Sequence, residues 1–531
     1  MLTNWSSIPF GIVVVIVAGG ALNLVPYFLE LKDQLGFETV HQEFIRWGVL
    51  FGYYGGILAG PMIDIIGSTF SFLIAAIISG LGFVALAFYT DASSVGTFNA
   101  VIIVTLVLTV SFACAIATIA AIAAIIKNFS RRSGAMVAAV MISYYFAARY
   151  FDTSIRNGYF ESLDMKTNML VSAGIHFSVY MLGAMIIGDH ESNKKLKKAS
   201  ILTDKLGILV YAVIAGLFLA VVYTTCIVTQ AYRLSIILIT LIVLVNFVAL
   251  VFIIQGLLLT IERTGISEVR SEYIPPKKSF GKMLVDKRYL YLLVSTFIII
   301  GTGTTYYLEA SDVAEDVGKP ELADKVDYAY WLSAVLTILV GGMCSAMFNN
   351  VINAWLLAAI ACFASTVGFA LVFLSVTNDF FYYMSAFFVG AGTGGFWVVV
   401  PQLVLDDAGP KSFKSLWGFT LSVNAAGMFI FDAFFWWVSE KTDPDKAGNC
   451  QGSQCYVIIF VGFAAVCFVA GVLCLSALDY DRKLSKDEER RPLRSQDSFG
   501  SFRRNTFSEG KKGEKDKKGR PRSSSKSKNK K

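Results

Sequence analysis

Apolar stretches of about 20 residues recur along this chain from residue 7 to residue 478. Each has the length a helix needs to cross the roughly 30 Å hydrocarbon core of a bilayer. The runs fall at 7–30, 43–64, 70–90, 99–127, 134–155 and 167–188, then 206–229 and 233–260, then 289–310, 327–348, 351–376, 380–405, 415–438 and 456–478. They predict an all-α integral membrane protein of about 14 transmembrane helices, grouped six, two and six. Charged residues make up 16% of the chain, against about a quarter in soluble domains. The first run has no basic residue before it and is too long for a signal-peptide core, so it is expected to stay as a membrane helix.

Lysine and arginine favour cytoplasmic loops, which orients the bundle. With an even number of helices both termini share a side, and placing that side in the cytoplasm puts 36 of the 46 basic residues in inside segments. The loop EASDVAEDVGKPELADKVD, 309–327, is acidic and falls outside. The net charge of +7 comes mainly from the tail after residue 480, rich in Ser, Lys, Arg and Gly. Such a composition cannot bury enough surface to fold, and a basic tail beside anionic lipid needs no nucleic acid as partner. RRNTF within it offers Thr506 as an exposed site for phosphorylation.

Internal similarity suggests two parallel halves, a common transporter design. YFLELKD (27–33) aligns with YYLEASD (306–312); Gly56 and Gly60 align with Gly342 and Ala346; Asp64 meets Asn350, and Gly134 meets Gly418. The expected domains are a six-helix half at 1–188, linkers with two inserted helices at 189–288, a second six-helix half at 289–480, and a disordered basic cytoplasmic tail at 481–531.

Gly52, Gly56 and Gly60 share a helix face at the spacing that lets two membrane helices approach backbone to backbone. Asp64 follows in Gly60-Pro61-Met62-Ile63-Asp64-Ile65-Ile66-Gly67, a Gly-x-x-x-Asp-x-x-Gly pattern at the turn between helices two and three. This pattern resembles the core of the loop motif of the major facilitator superfamily, although Ser68 and Thr69 follow where that motif has basic residues. GKMLVDKRYLYLLVS, GTGTTYYLE and WWVSEKTDPDKAGNCQGSQCY resemble the nodulin-like branch of that superfamily, which is distantly monocarboxylate-transporter-like, and the likeness covers all but the tail. It implies a major-facilitator-type bundle in which Gly60, Asp64 and Gly67 form a cytoplasmic gate motif. Helices 1, 4, 9 and 12 would line a central cavity. The polar residues there are Asn23, Tyr27, Ser111, Thr118, Thr302, Thr304, Thr305, Tyr306, Thr393, Trp397 and Gln402.

A charge inside a span costs about 2.5–3.5 kcal/mol on insertion scales, so Arg149 and Asp432 stand out. Arg149 is a candidate for an anionic group of the substrate; Asp432, Glu30 and Glu309 are candidates for a coupling proton. Cys450 and Cys455, in an outside loop, either close a disulfide or remain free thiols. GAGTGG, 390–395, mimics a dinucleotide fingerprint but lies in an apolar span with no strand before it, so close packing is its expected role. There is no phosphate-binding Gly-x-x-x-x-Gly-Lys-Ser/Thr, and the three histidines are scattered, which argues against an enzyme, a metal or another cofactor.

The expected protein is therefore a monomeric secondary transporter that moves a small polar or anionic solute by alternating access, with proton coupling a candidate; its partners are the lipid bilayer and that solute. The other class is a transport-inactive receptor or scaffold signalling through its tail. Charged groups on the cavity helices point to the first, and a cavity closed by apolar side chains points to the second.

Overall fold

The computed structural model describes residues 7–20, 39–89, 97–128, 164–187, 280–316, 322–347, 353–375, 379–442 and 454–490, with the isolated positions 24, 141, 142 and 319. The described chain is helical: α1 (Ser7–Gly20), α2 (Thr39–Tyr53), α3 (Gly56–Tyr89), α4 (Thr97–Asn128), α5 (Met165–Ile186), α6 (Phe280–Leu284), α7 (Lys287–Asp316), α8 (Ala323–Met347), α9 (Ala354–Ser375), α10 (Asp379–Thr442) and α11 (Gln454–Arg490). Described helices lie in all the expected runs except 206–229 and 233–260, which are outside the described residues; of 134–155 only 141 and 142 are described, and Asn23, Tyr27, Glu30, Arg149, Cys450 and Cys455 also lie outside.

Eight stretches among the described residues are long and apolar enough to cross a bilayer. One of them, Phe44–Tyr89, has 46 residues and would measure about 69 Å as one straight helix, more than twice the hydrocarbon thickness. It is two crossings, divided at Gly67, whose φ of 82° belongs to the left-handed region that glycine enters without a Cβ clash. In α10 the same device separates Asp379–Gly409 from Ser412–Ser439. Gly409 has φ 69°, and Pro410 after it has no N–H with which to continue the ladder.

Packing follows small residues. From Ala113 to Ala124 α4 is buried along almost its whole length by alanines and isoleucines, which let neighbours approach closely. GAGTGG in α10 packs on two helices at once: a Cβ at Gly390 or Gly394 would run into Tyr330 and Ala334 of α8, and one at Gly392 or Gly395 into Ala361 and Ser365 of α9. Cys114, Cys362, Cys467 and Cys474 are buried as free thiols within helices, behaving as small apolar residues.

The chain forms two compact units, Met1–Leu478 and Asp479–Lys531. In the second, the described residues are helical and Lys483 Nζ pairs with Asp479 Oδ2 at 2.6 Å, one turn apart.

Candidate functional site

Three ionisable side chains far apart in sequence meet where the N-terminal helices α1–α5 face the C-terminal helices α6–α11. Arg46 of α2 donates through Nη2 to Glu309 Oε1 of α7 at 2.5 Å and to Asp432 Oδ1 of α10 at 3.1 Å. The next residue, Trp47, donates its indole N–H to the other Asp432 oxygen at 3.3 Å. Glu309 and Asp432 side chains are each 2% exposed. Trp47 also packs edge-on against Phe429, ring centroids 4.9 Å apart, so aromatic surface lies beside Asp432. In such low-dielectric surroundings charge attraction is strong, and a charge that loses its partner is costly. Arg46 is shared by the two carboxylates, reaching both through the same nitrogen.

Eight residues along from Arg46, about 12 Å at helical rise, the crossing helix is interrupted. α2 stops at Tyr53 and α3 starts at Gly56, and the Gly56 N–H turns back to Tyr54 O at 2.7 Å. A hydroxyl from the other group fills the gap: Ser422 Oγ accepts from the Ile57 N–H at 2.8 Å and donates to the Tyr54 carbonyl at 2.9 Å. Broken helices persist at membrane depth only when such partners satisfy the freed backbone. The close approach needs glycine on both sides, since a Cβ at Gly56 would enter the Gly418 backbone and the reverse.

Beside this break lies a narrow cavity lined by Tyr53, Tyr54, Ala115, Thr118, Ile119, Ile122 and Ile142 from the N-terminal side and by Trp397, Trp417 and Leu421 from the C-terminal side. The centre of a water-sized sphere has ≈ 20 Å³ to move in, room for about one water molecule. The lining is apolar and aromatic for the most part. Among the described residues, two polar atoms of its lining side chains, Thr118 Oγ1 and Trp417 Nε1, are buried without a hydrogen-bond partner.

At the far end of the same crossing, ten residues past Tyr54, Asp64 Oδ2 accepts from the Ser415 backbone N–H at 3.2 Å and from the Ser415 hydroxyl. Ser415 lies six residues past the Gly409 bend, where the positive end of a helix dipole favours a carboxylate. Asp64 is exposed, and a Cβ at Gly60 would meet the Lys414 carbonyl, so here too the two groups of helices touch backbone to backbone.

Of the residues singled out from sequence, Glu309 and Asp432 enter the charged cluster, and Trp397 and Thr118 line the cavity. Thr302 and Thr393 donate to carbonyls one turn back in their own helices, at 2.8 and 2.9 Å. The Tyr306 hydroxyl accepts from Ser385 at 3.2 Å. Ser111, Thr305 and Gln402 are buried and Thr304 is half-buried; none of these lines the cavity. The member of this cluster that sequence reasoning missed is Arg46. Its span position near the start of an apolar run reads as an interfacial cation, and its partners lie 263 and 386 residues away.

No family model and no curated protein matches the sequence. Among solved structures, the proton:xylose symporter XylE of the major facilitator superfamily, bound to 6-bromo-6-deoxy-D-glucose, is similar over 89% of this chain and 95% of its own, at 13% identity and a TM-score of 0.52. A double-tryptophan variant of XylE is similar over the same shares, at 13% identity and a TM-score of 0.53. At that identity the likeness is one of fold, and it agrees with the apolar crossings and the glycine-mediated contacts described above: the chain is a multi-pass membrane protein with the major facilitator fold.

Proposed function

We propose that the protein is a proton-coupled secondary transporter, moving a small solute by alternating access between residues 1–188 and 289–480, with both termini cytoplasmic. The observation that carries the reading is the Arg46–Glu309–Asp432 cluster. A buried guanidinium shared by two carboxylates across both groups of helices links the charge state of those carboxylates to whether the groups stay together. A proton on Glu309 or Asp432 weakens the grip of Arg46 on that side, and a bound solute is then free to leave through the parting helices. Asp64 with Ser415 serves as the gate at the other, cytoplasmic, end. The likeness in fold to a proton:xylose symporter supports the coupling.

A transport-inactive receptor is the second reading, and the narrowness and largely apolar lining of the cavity favour it. The two separate in proteoliposomes loaded with a pH-sensitive dye and offered a mixture of cell metabolites under an imposed pH gradient. Transport predicts solute accumulation with proton entry, and its loss in the E309Q/D432N double variant. Accumulation that survives in that variant overturns the coupling role, and an intact wild-type protein that moves neither solute nor protons gives the receptor reading its place.

A further inference from the structure

The aromatic cavity beside the break at Tyr54 has a chemistry of its own. The Trp397 and Trp417 rings stand nearly perpendicular, 76° apart with centroids at 6.2 Å, so they form a corner with one face and one edge. Tyr54 continues that wall, its ring 6.0 Å from Trp397 and tilted by 32°, while Phe413 backs Trp417 as a nearly parallel stack, 9° apart. Such surfaces favour a flat ring that stacks on one wall and meets the edge of the other. Ile119 and Leu421 add apolar area.

The polar groups are few and of a definite kind. An indole N–H donates and cannot accept, and the Trp417 N–H is buried without a partner among the described residues, as is the Thr118 hydroxyl. Trp417 is 2% and Thr118 9% exposed, so each gains from an acceptor brought to it. Apart from the Tyr53, Tyr54 and Thr118 hydroxyls, the lining side chains offer a polyhydroxylated solute no acceptor, and each unmatched hydroxyl loses its hydration. The ≈ 20 Å³ is room for about one water, so a larger guest enters when the helices part.

We propose that this cavity takes a small ring-bearing solute with a carbonyl or carboxylate acceptor, the ring stacking on Trp397 and Trp417 and the acceptor receiving the Trp417 N–H and the Thr118 O–H. The inference rests on the transport reading for the way the solute enters, but it is tested by binding.

The probes are benzamide, benzoate, myo-inositol and inorganic phosphate, titrated onto the full-length protein in nanodiscs and followed by tryptophan fluorescence and by the unfolding temperature. Benzamide and benzoate are expected to quench and to stabilise, and the other two to do neither. W417F keeps a ring and removes the N–H, and T118V keeps the volume and removes the hydroxyl; affinity for the ring probes falls about tenfold in W417F and by less in T118V. Binding of inositol or phosphate in place of the ring probes overturns the class, and so does ring binding undiminished in both variants. Accumulation in proteoliposomes is scored separately. Ring probes that bind and are never accumulated sink the transport reading alone, whereas pH-driven accumulation of inositol without ring-probe binding sinks this inference alone.

Discussion

At one end of the crossing that runs from Arg46 to Asp64, two carboxylates share one guanidinium in surroundings almost closed to water. At the other end, about 27 Å away at helical rise, an exposed carboxylate accepts from the amide and hydroxyl of a neutral serine. Both contacts join the same two groups of helices, on either side of the same cavity. The first is an ion-pair contact shielded from salt; the second includes two hydrogen bonds at a helix start and is open to water. On the transport reading proposed above, this difference would make one end the proton-sensitive one and the other the end that opens at lower cost.

The largest effect is expected from Arg46→Ala. It leaves Glu309 and Asp432 buried without their guanidinium, a loss of about 3–5 kcal/mol, read as a lower unfolding temperature in detergent. Adding Glu309→Gln and Asp432→Asn should restore much of it, and a triple variant no more stable than the single one would break the account of the cluster as a charge balance. Next comes Gly418→Val, whose side chain must enter the Gly56 backbone; overpacking of this kind costs about 1–3 kcal/mol. It should raise maleimide labelling of a cysteine placed at Leu421 by prising the helices apart.

Asp64→Asn keeps an acceptor and removes the charge, so the expected cost is smaller, about 0.5–1.5 kcal/mol. A cost equal to that of Arg46→Ala would erase the contrast between the two ends. The smallest effect belongs to a carboxylate with a purely local role. Asp164 caps α5, accepting from the Thr167 hydroxyl at 2.6 Å and the Thr167 N–H at 3.4 Å, and the hydroxyl bond first, then the backbone one, holds its carboxyl below the usual range. A depressed folded value means that the stabilisation is present above the unfolded carboxylate range and is lost as pH falls through the folded one. Amide exchange at Thr167 and Asn168 should accelerate only in that acidic window, with the rest of α5 unmoved.

Much of this was open to reading in the sequence because bilayer thickness turns length and hydropathy into helices. Asp432 stood out because a charge in an apolar run needs a reason, Glu309 as a carboxylate at the outer rim, and the glycine stripe announced a close contact. Gly56 and Gly418, each singled out by the internal repeat, prove to touch one another. What sequence could not supply was partnership across hundreds of residues. Arg46 looked interfacial because nothing local showed two acids converging on it, and the stripe Gly52-Gly55-Gly56-Gly60 gave no sign of a break, since the group that completes it is a serine 365 residues on. A threonine that satisfies itself one turn back, as Thr302 and Thr393 do, looks in sequence the same as one facing a solute.

The serine that mends the broken helix also sets a timetable for biosynthesis. At about 5–20 residues per second, a ribosome needs roughly 20–70 s after making Ile57 before it reaches Ser422. Through that interval the Tyr54 carbonyl and the Ile57 amide lack the hydroxyl that joins them. The N-terminal helices thus reach the bilayer with their central crossing unfinished, and residues 1–188 expressed alone should be cleared by membrane quality control unless the C-terminal helices are supplied beside them.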